Sequence, residues 1–314
     1  MAWTPDPSRW HGLFTLLLAG MLAASTTQAA EKIEPSTEMT PAGGGETACP
    51  ECPANPGVHG ILGGPHFVVA DPRTPAANAA CEACHGPSRE HTLFPTRIAS
   101  IRFGEGSHLT PEEQSAQCLG CHQGDHIDWA SGTHAAEDVS CVSCHSLHAG
   151  RDQVLNRVTV ADKCVSCHLR VRMEINKPYR HPVREAAITC TNCHNPHGSP
   201  AEAMLVRETV NQTCYQCHAE KRGPFMHEHE PVQDDCMHCH NPHGSNHENL
   251  LLVRAPFLCQ QCHSDHSHAR EAYDFEDLPL GSGSRQSRVV GGACINCHSQ
   301  IHGTNNPGRR SMRQ

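Results

Sequence analysis

The chain has 314 residues, with 24 Lys and Arg against 33 Asp and Glu, a formal charge of −9 with histidine neutral. That balance argues against a nucleic-acid partner, and 4% aromatic residues beside 25 Gly and 23 Pro argue against ordinary hydrophobic cores. The abundant chemistry is instead sulfur and imidazole, with 20 Cys and 27 His.

In chain order, the first element is an export signal. Arg9 precedes an apolar run from Gly12 to Ala24, and small residues from Ser25 to Ala30 offer a cleavage site, so residues 1–29 read as a signal peptide. The run, about 13 residues, is shorter than the roughly 20 that a spanning helix needs. No other stretch is apolar enough to span, and no series of alternating strands suggests a barrel, so the chain reads as soluble by itself. Residues 30–48 read as a flexible linker.

The pair Cys49-Pro50-Glu51-Cys52-Pro53 follows, and after it nine pairs in which His comes directly after the second Cys. These are Cys81, Cys84 and His85; Cys118, Cys121 and His122; Cys141, Cys144 and His145; Cys164, Cys167 and His168; Cys190, Cys193 and His194; Cys214, Cys217 and His218; Cys236, Cys239 and His240; Cys259, Cys262 and His263; and Cys294, Cys297 and His298. Cys-x-x-Cys-His is the attachment signature of c-type haem, and chance at this composition would supply roughly 0.1 such pentapeptides. Zinc would require Cys₄ or Cys₂His₂ sets, which do not explain a His fixed at one offset nine times. A thioredoxin-like pair would stand alone in a βαβ pattern. At nine haems the porphyrins outnumber any conventional core, so the chain must wrap them as short helices and coil with almost no β structure. Thr110-Pro111-Glu112-Glu113 should start a helix running into the Cys118 motif, and Ala255-Pro256 should do the same before Cys259.

The motifs alternate. Type B motifs, at Cys81, Cys141, Cys190, Cys236 and Cys294, have a candidate second-ligand His on each side: His59 and His91, His134 and His148, His181 and His197, His229 and His243, His268 and His302. Type A motifs, at Cys118, Cys164, Cys214 and Cys259, lack this flanking pair, and Cys49 holds the first A position of five A–B repeats. His66, His108, His126, His227, His238, His247 and His266 read as surface residues, and Met173, Met204, Met226 and Met237, which keep no repeat spacing, as packing residues. Iron with two histidines has no open position, so the expected chemistry is outer-sphere electron transfer rather than turnover of a substrate. Pro53 cannot ligate iron. The count is therefore nine haem c, with Cys49 and Cys52 left as a disulfide, free thiols or an atypical attachment, and one second ligand, His59, spare.

Cys81-Glu-Ala-Cys-His-Gly-Pro, TCYQCHAEKRGP (213–224), the two CHNPHGS segments (193–199 and 239–245), RAPFLCQQCH (254–263) and NCHSQIHG (296–303) resemble the periplasmic decahaem cytochromes of the MtrA/DmsE type. The resemblance implies two pentahaem-type halves similar to NrfB, here 49–178 and 179–302, before a basic tail at 303–314. It also implies function. Such proteins enter an outer-membrane β-barrel porin and, with an outer-facing multihaem cytochrome and a periplasmic or inner-membrane cytochrome redox partner, carry electrons between periplasm and exterior for metal reduction or Fe(II) oxidation. A barrel lumen explains how a chain without a spanning element can cross. The alternatives are a soluble periplasmic shuttle to a terminal reductase and, in a different class, a multihaem enzyme with an open iron position.

Overall fold

The computed structural model describes residues 58–87, 101–263, 294–296 and 298–307. The signal peptide, the linker, Cys49, Cys52, His91, His266, His268, Cys297 and the Gly-Ser-Gly-Ser run at 281–284 lie outside the described residues.

Among the described residues the chain is short helices joined by coil. Nine α-helices, the longest Pro111–His122, alternate with 3-10 turns, and pairing between extended segments is limited to isolated bridges such as Tyr179 with Ser245 and His194 with Leu205. The sequence signals for the longest helix are all in use. Thr110 caps it, accepting from Glu113 N at 3.2 Å, while Glu113 Oε2 accepts from Thr110 N at 2.8 Å, and Pro111 occupies the first helical position. The helix before Cys259, Phe257–Gln260, begins directly after Pro256.

The described core is thin. Its buried apolar residues are Ala76, Ala80, Trp129, Val160, Ala161, Val165 and Ile175. Large apolar side chains stand exposed instead, among them Ile127 at 81%, Val158 at 72% and Phe257 at 62%. Met173, Met226 and Met237 are exposed as well, so these methionines do not fill a protein core as the sequence suggested.

The repeats interlock through backbone contacts. A Cβ placed on Gly198 would strike the Asp128 carbonyl, and one on Gly244 would strike that of Glu174. Asp128 and Glu174 each lie six residues past a type A motif His (His122 and His168). Each loop that carries a downstream His therefore sits directly on the segment following an earlier type A motif.

Candidate haem-binding sites

Each motif is built by one helical turn. His donates its backbone N–H to the carbonyl of the first Cys in the motifs at Cys81, Cys141, Cys164, Cys190, Cys214, Cys236, Cys259 and Cys294, at 2.8–3.0 Å. In the Cys118 motif the same residues end the Pro111–His122 helix. Residues i, i+3 and i+4 of a helical turn share one face, so both sulfurs and the imidazole point to one side.

The imidazoles then meet in couples. Ring centres lie 5.9 Å apart for His85 with His148, 6.0 Å for His145 with His197, 6.1 Å for His194 with His243 and 6.2 Å for His240 with His302. They lie 5.9 Å apart for His122 with His66, 6.1 Å for His168 with His134, 6.2 Å for His218 with His181 and 6.1 Å for His263 with His229. Two imidazoles bound through nitrogen to opposite sides of one metal, with bonds of about 2 Å, hold their ring centres about 6 Å apart. The spacing is that of a bis-histidine iron, and the described residues supply it for eight of the nine motif histidines.

The pairing follows a rule that spacing did not reveal. A type B motif His faces the downstream His of the next repeat, and a type A motif His faces the upstream His of the previous repeat. The two reach past each other, and the exchange is stitched by hydrogen bonds: His134 Nδ1 meets the Pro196 carbonyl at 2.9 Å, and His181 Nδ1 meets that of Pro242 at 2.8 Å.

The two CHNPHGS segments fold alike. Asn195 Oδ1 accepts from His197 N, and Asn241 Oδ1 from His243 N. The returning loop places the Ala203 carbonyl 2.9 Å from His194 Nδ1 and the Asn249 carbonyl 2.7 Å from His240 Nδ1. A backbone acceptor on Nδ1 fixes the ring orientation and leaves Nε2 as the donor to metal. Burial is the largest influence pushing His66, His243, His302 and His197 toward the neutral form that ligates iron, with His197 brought down to about 4.

In the first repeat the geometry departs from the sequence reading. Two rings stand about 6 Å from His122, His66 at 5.9 Å and His126 at 6.1 Å, both expected at the surface, whereas the expected His59 is exposed. His126 is also no isolated surface residue: its ring centre is 4.0 Å from that of His197, and its Nδ1 is buried without a hydrogen-bond partner. His238 stays outside the site, exposed and 2.6 Å from Asp234.

The sulfurs show how sites follow one another. The thiols of Cys118 and Cys141 share a hydrogen bond, which pushes Cys118 up and Cys141 down to about 6 before haem is attached. The same contact joins Cys164 to Cys190, Cys214 to Cys236 and Cys259 to Cys294. Between these, Cys84 and Cys121, Cys144 and Cys167, Cys193 and Cys217, and Cys239 and Cys262 lie within electrostatic reach of each other. First cysteines hydrogen-bond to first cysteines, and second cysteines stand within electrostatic reach of second ones, so each motif neighbours the next in sequence order.

These residues fit haem c. The cysteine pairs would supply the thioether sulfurs and the histidine couples the iron-ligating nitrogens. Arg180 Nε and Tyr215 Oη, buried with no partner, are donors suited to a propionate. Bound haem supplies one-electron chemistry; the chain spaces the irons and orients their ligands.

Helical turns, histidine couples and a thin core together define a multihaem c-type cytochrome, an electron-transfer protein. Family comparisons agree: a Cytochrome c-type protein NrfB-like domain matches residues 81–159, and a Doubled CXXCH motif matches 181–223 and 229–268. The chain is 42% identical over 256 residues to Multiheme cytochrome MtrA of Shewanella baltica, covering 81% of this chain and 76% of that one. It is 31% identical over 184 residues to Cytochrome c-type protein NrfB of Escherichia coli, covering 52% and 92%. The chain belongs to the MtrA family of multihaem cytochromes.

Proposed function

We propose that the protein is exported and acts as a nine-haem wire between the periplasm and the cell exterior, held inside an outer-membrane porin. Its redox partners are an outer-facing multihaem cytochrome and a periplasmic or inner-membrane cytochrome. The observation that carries this reading is the succession of neighbouring motif sulfurs from Cys84 to Cys294, alternately hydrogen-bonded and within electrostatic reach. Tunnelling falls steeply with distance, so porphyrins joined at their thioether edges pass electrons from site to site. The MtrA relationship supports the location. No helix among the described residues is long and apolar enough to cross a membrane, and a porin lumen removes the need for one. The two halves, 49–178 and 179–302, are parts of one wire, since Cys164 and Cys190 meet across their boundary as the other couples do.

All nine irons are bis-histidine in this reading. That leaves no open position for a substrate and sets the enzyme alternative aside. The exchange rule has no neighbouring repeat to draw on at either end, and the candidates it leaves unassigned are His268 and His91; by elimination we assign His268 to His298 and His91 to the lost first motif. The spare ligand is then His91, not His59. The NrfB relationship favours the soluble-shuttle alternative. Purification of the full chain from its native membrane decides: a detergent-stable complex with a porin is expected, with nine haems by intact mass. A monomer found wholly in the soluble periplasmic fraction overturns the conduit and leaves the shuttle.

A further inference from the structure

One axial-histidine contact differs from its counterparts. In three type B motifs the motif His Nδ1 meets a backbone carbonyl: His85 that of Ile101 at 2.8 Å, His194 that of Ala203 at 2.9 Å and His240 that of Asn249 at 2.7 Å. In the Cys141 motif it meets a carboxylate, with His145 Nδ1 2.6 Å from Asp152 Oδ2. The Asp152 side chain is only 9% exposed. Its other oxygen accepts from Val154 N at 3.1 Å, where Asp152 caps a 3-10 turn, so the carboxylate is held in place. Acids near other motif histidines stand farther off and in solvent: Asp125 is 3.8 Å from His122 Nδ1 and 80% exposed, and Glu220 is 4.0 Å from His218 Nδ1 and 62% exposed. Glu174 does approach a facing histidine, His243, at 3.3 Å, but its charge is shared with Arg170. Among the described residues the ion pair of Asp152 is with His145.

We propose that Asp152 is a positioning residue that lowers the reduction potential of the haem held by Cys141 and Cys144, making that site a low step inside the wire. A carboxylate accepting from Nδ1 draws the proton away from the ring and makes Nε2 a stronger donor, which favours Fe(III) over Fe(II). Its negative charge, shielded from water, acts in the same direction. A neutral carbonyl does less on both counts. The step itself is a single electron passing from one Fe(II) to the neighbouring Fe(III), with no bond made or broken. The site is thus the last on the wire to be reduced and the first to be oxidised.

The proposal rests on His145 ligating that haem and is independent of where the protein docks. The test uses the full-length holoprotein and the Asp152→Asn variant, first counted for haem by intact mass, then titrated potentiometrically by electron paramagnetic resonance. The His145 and His197 rings are 14° from parallel, against 72° for His66 with His122 and 67° for His134 with His168. Its ferric low-spin signal therefore groups with those of the other near-parallel couples, His240 with His302 at 14°, His229 with His263 at 21° and His194 with His243 at 25°, and the Asp152→Asn shift picks it out of that group. Asp152→Asn should shift one haem toward reduction by about tenfold in its Fe(III)/Fe(II) ratio, about 59 mV for one electron, with nine haems retained, and Asp152→Glu should restore part of the shift. Nine haems with no couple moved, or an equal shift in Asp152→Glu, overturns it. Should Asp152→Asn lose haem, Asp152→Glu decides: with nine haems retained, one near-parallel ferric signal must move toward reduction, and no movement overturns the proposal. A haem count showing no haem at Cys141 and Cys144 in the wild type would instead sink the ligation reading beneath it.

Discussion

The first join between repeats and the later ones solve one packing problem from opposite sides. In the later joins the residue after the downstream His is glycine: Gly198 after His197, Gly244 after His243 and Gly303 after His302. Each leaves no room for a Cβ against an earlier repeat, meeting Asp128, Glu174 and Phe225 respectively. In the first join that position is Ala149, after His148, and the missing side chain is on the other surface, where Gly60 meets the carbonyl of His148 and the backbone of Ala149. Gly60 lies seven residues past Pro53, as Phe225 lies seven past His218. The first repeat has lost its type A motif histidine yet keeps the seat that a type A segment gives the next loop. The seat and the haem are therefore separable: one closes the scaffold, the other carries charge.

The largest expected effect tests what an interior site does that the lost terminal one did not. Cys190→Ala with Cys193→Ala removes the haem at the middle of the line. Intact mass should fall by one haem, and electron flux through the porin complex in liposomes should drop to that of a cytochrome-free control. Undiminished flux would break the comparison, because an interior gap would then be as harmless as the terminal one. Pro53→His comes next. It recreates Cys-x-x-Cys-His at Cys49, for which His91 is the candidate left unassigned by the other couples, and the mature protein should gain one haem by mass. If it gains none, the first repeat has lost more than its histidine.

Much of this was legible in the sequence, for reasons that also explain what was not. The Cys-x-x-Cys-His turn is local, so its meaning survives any tertiary setting, and Thr110, Pro111 and Glu113 signal their helix through backbone bonds three residues apart. His134, His181 and His229 stand at near-constant distance from the following motif, which marked them out. His66 did not, because 27 residues separate Pro53 from Cys81. Neither His59 nor His66 keeps the interior spacing, and only the meeting with His122 separates them. The exchange between repeats was hidden because it is non-local: His134 faces His168, and His145 faces His197, across contacts that no period in the chain encodes. Asp152 is silent in the sequence for a simpler reason. An acid seven residues past a histidine is unremarkable until a turn folds it back.

Smaller effects probe the seat itself. Gly198→Val and Gly244→Val drive a side chain into a backbone carbonyl at φ +117 and +153, a region that L residues rarely adopt. Each should cost about 1–3 kcal/mol or more and lower the thermal midpoint of the holoprotein measured by circular dichroism. Gly124→Ala, with nothing within 4 Å of its added Cβ, should stay within about 0.5 kcal/mol. Gly60→Val should resemble Gly198→Val if the first seat bears the same load as the later ones. A neutral Gly60→Val would mean that the seat survives without closing the scaffold.

The smallest effect is expected at Thr110→Ala, which removes the Oγ1 that accepts from Glu113 N at the start of Pro111–His122 and leaves the backbone N–H of residue 110 to donate to Glu113 Oε2. Removing such a cap costs about 1 kcal/mol. The loss should concentrate in the first turn, because in the proposed reading the sulfurs of Cys118 and Cys121 tether the other end of the helix to a haem. Amide exchange should therefore speed up at Glu112 and Glu113 and stay unchanged at Gly120 and His122. Exchange that rises evenly along the helix would mean that the haem does not anchor this segment. The difference between a terminal repeat that keeps its seat without its haem and interior repeats that need both would then have lost its physical basis.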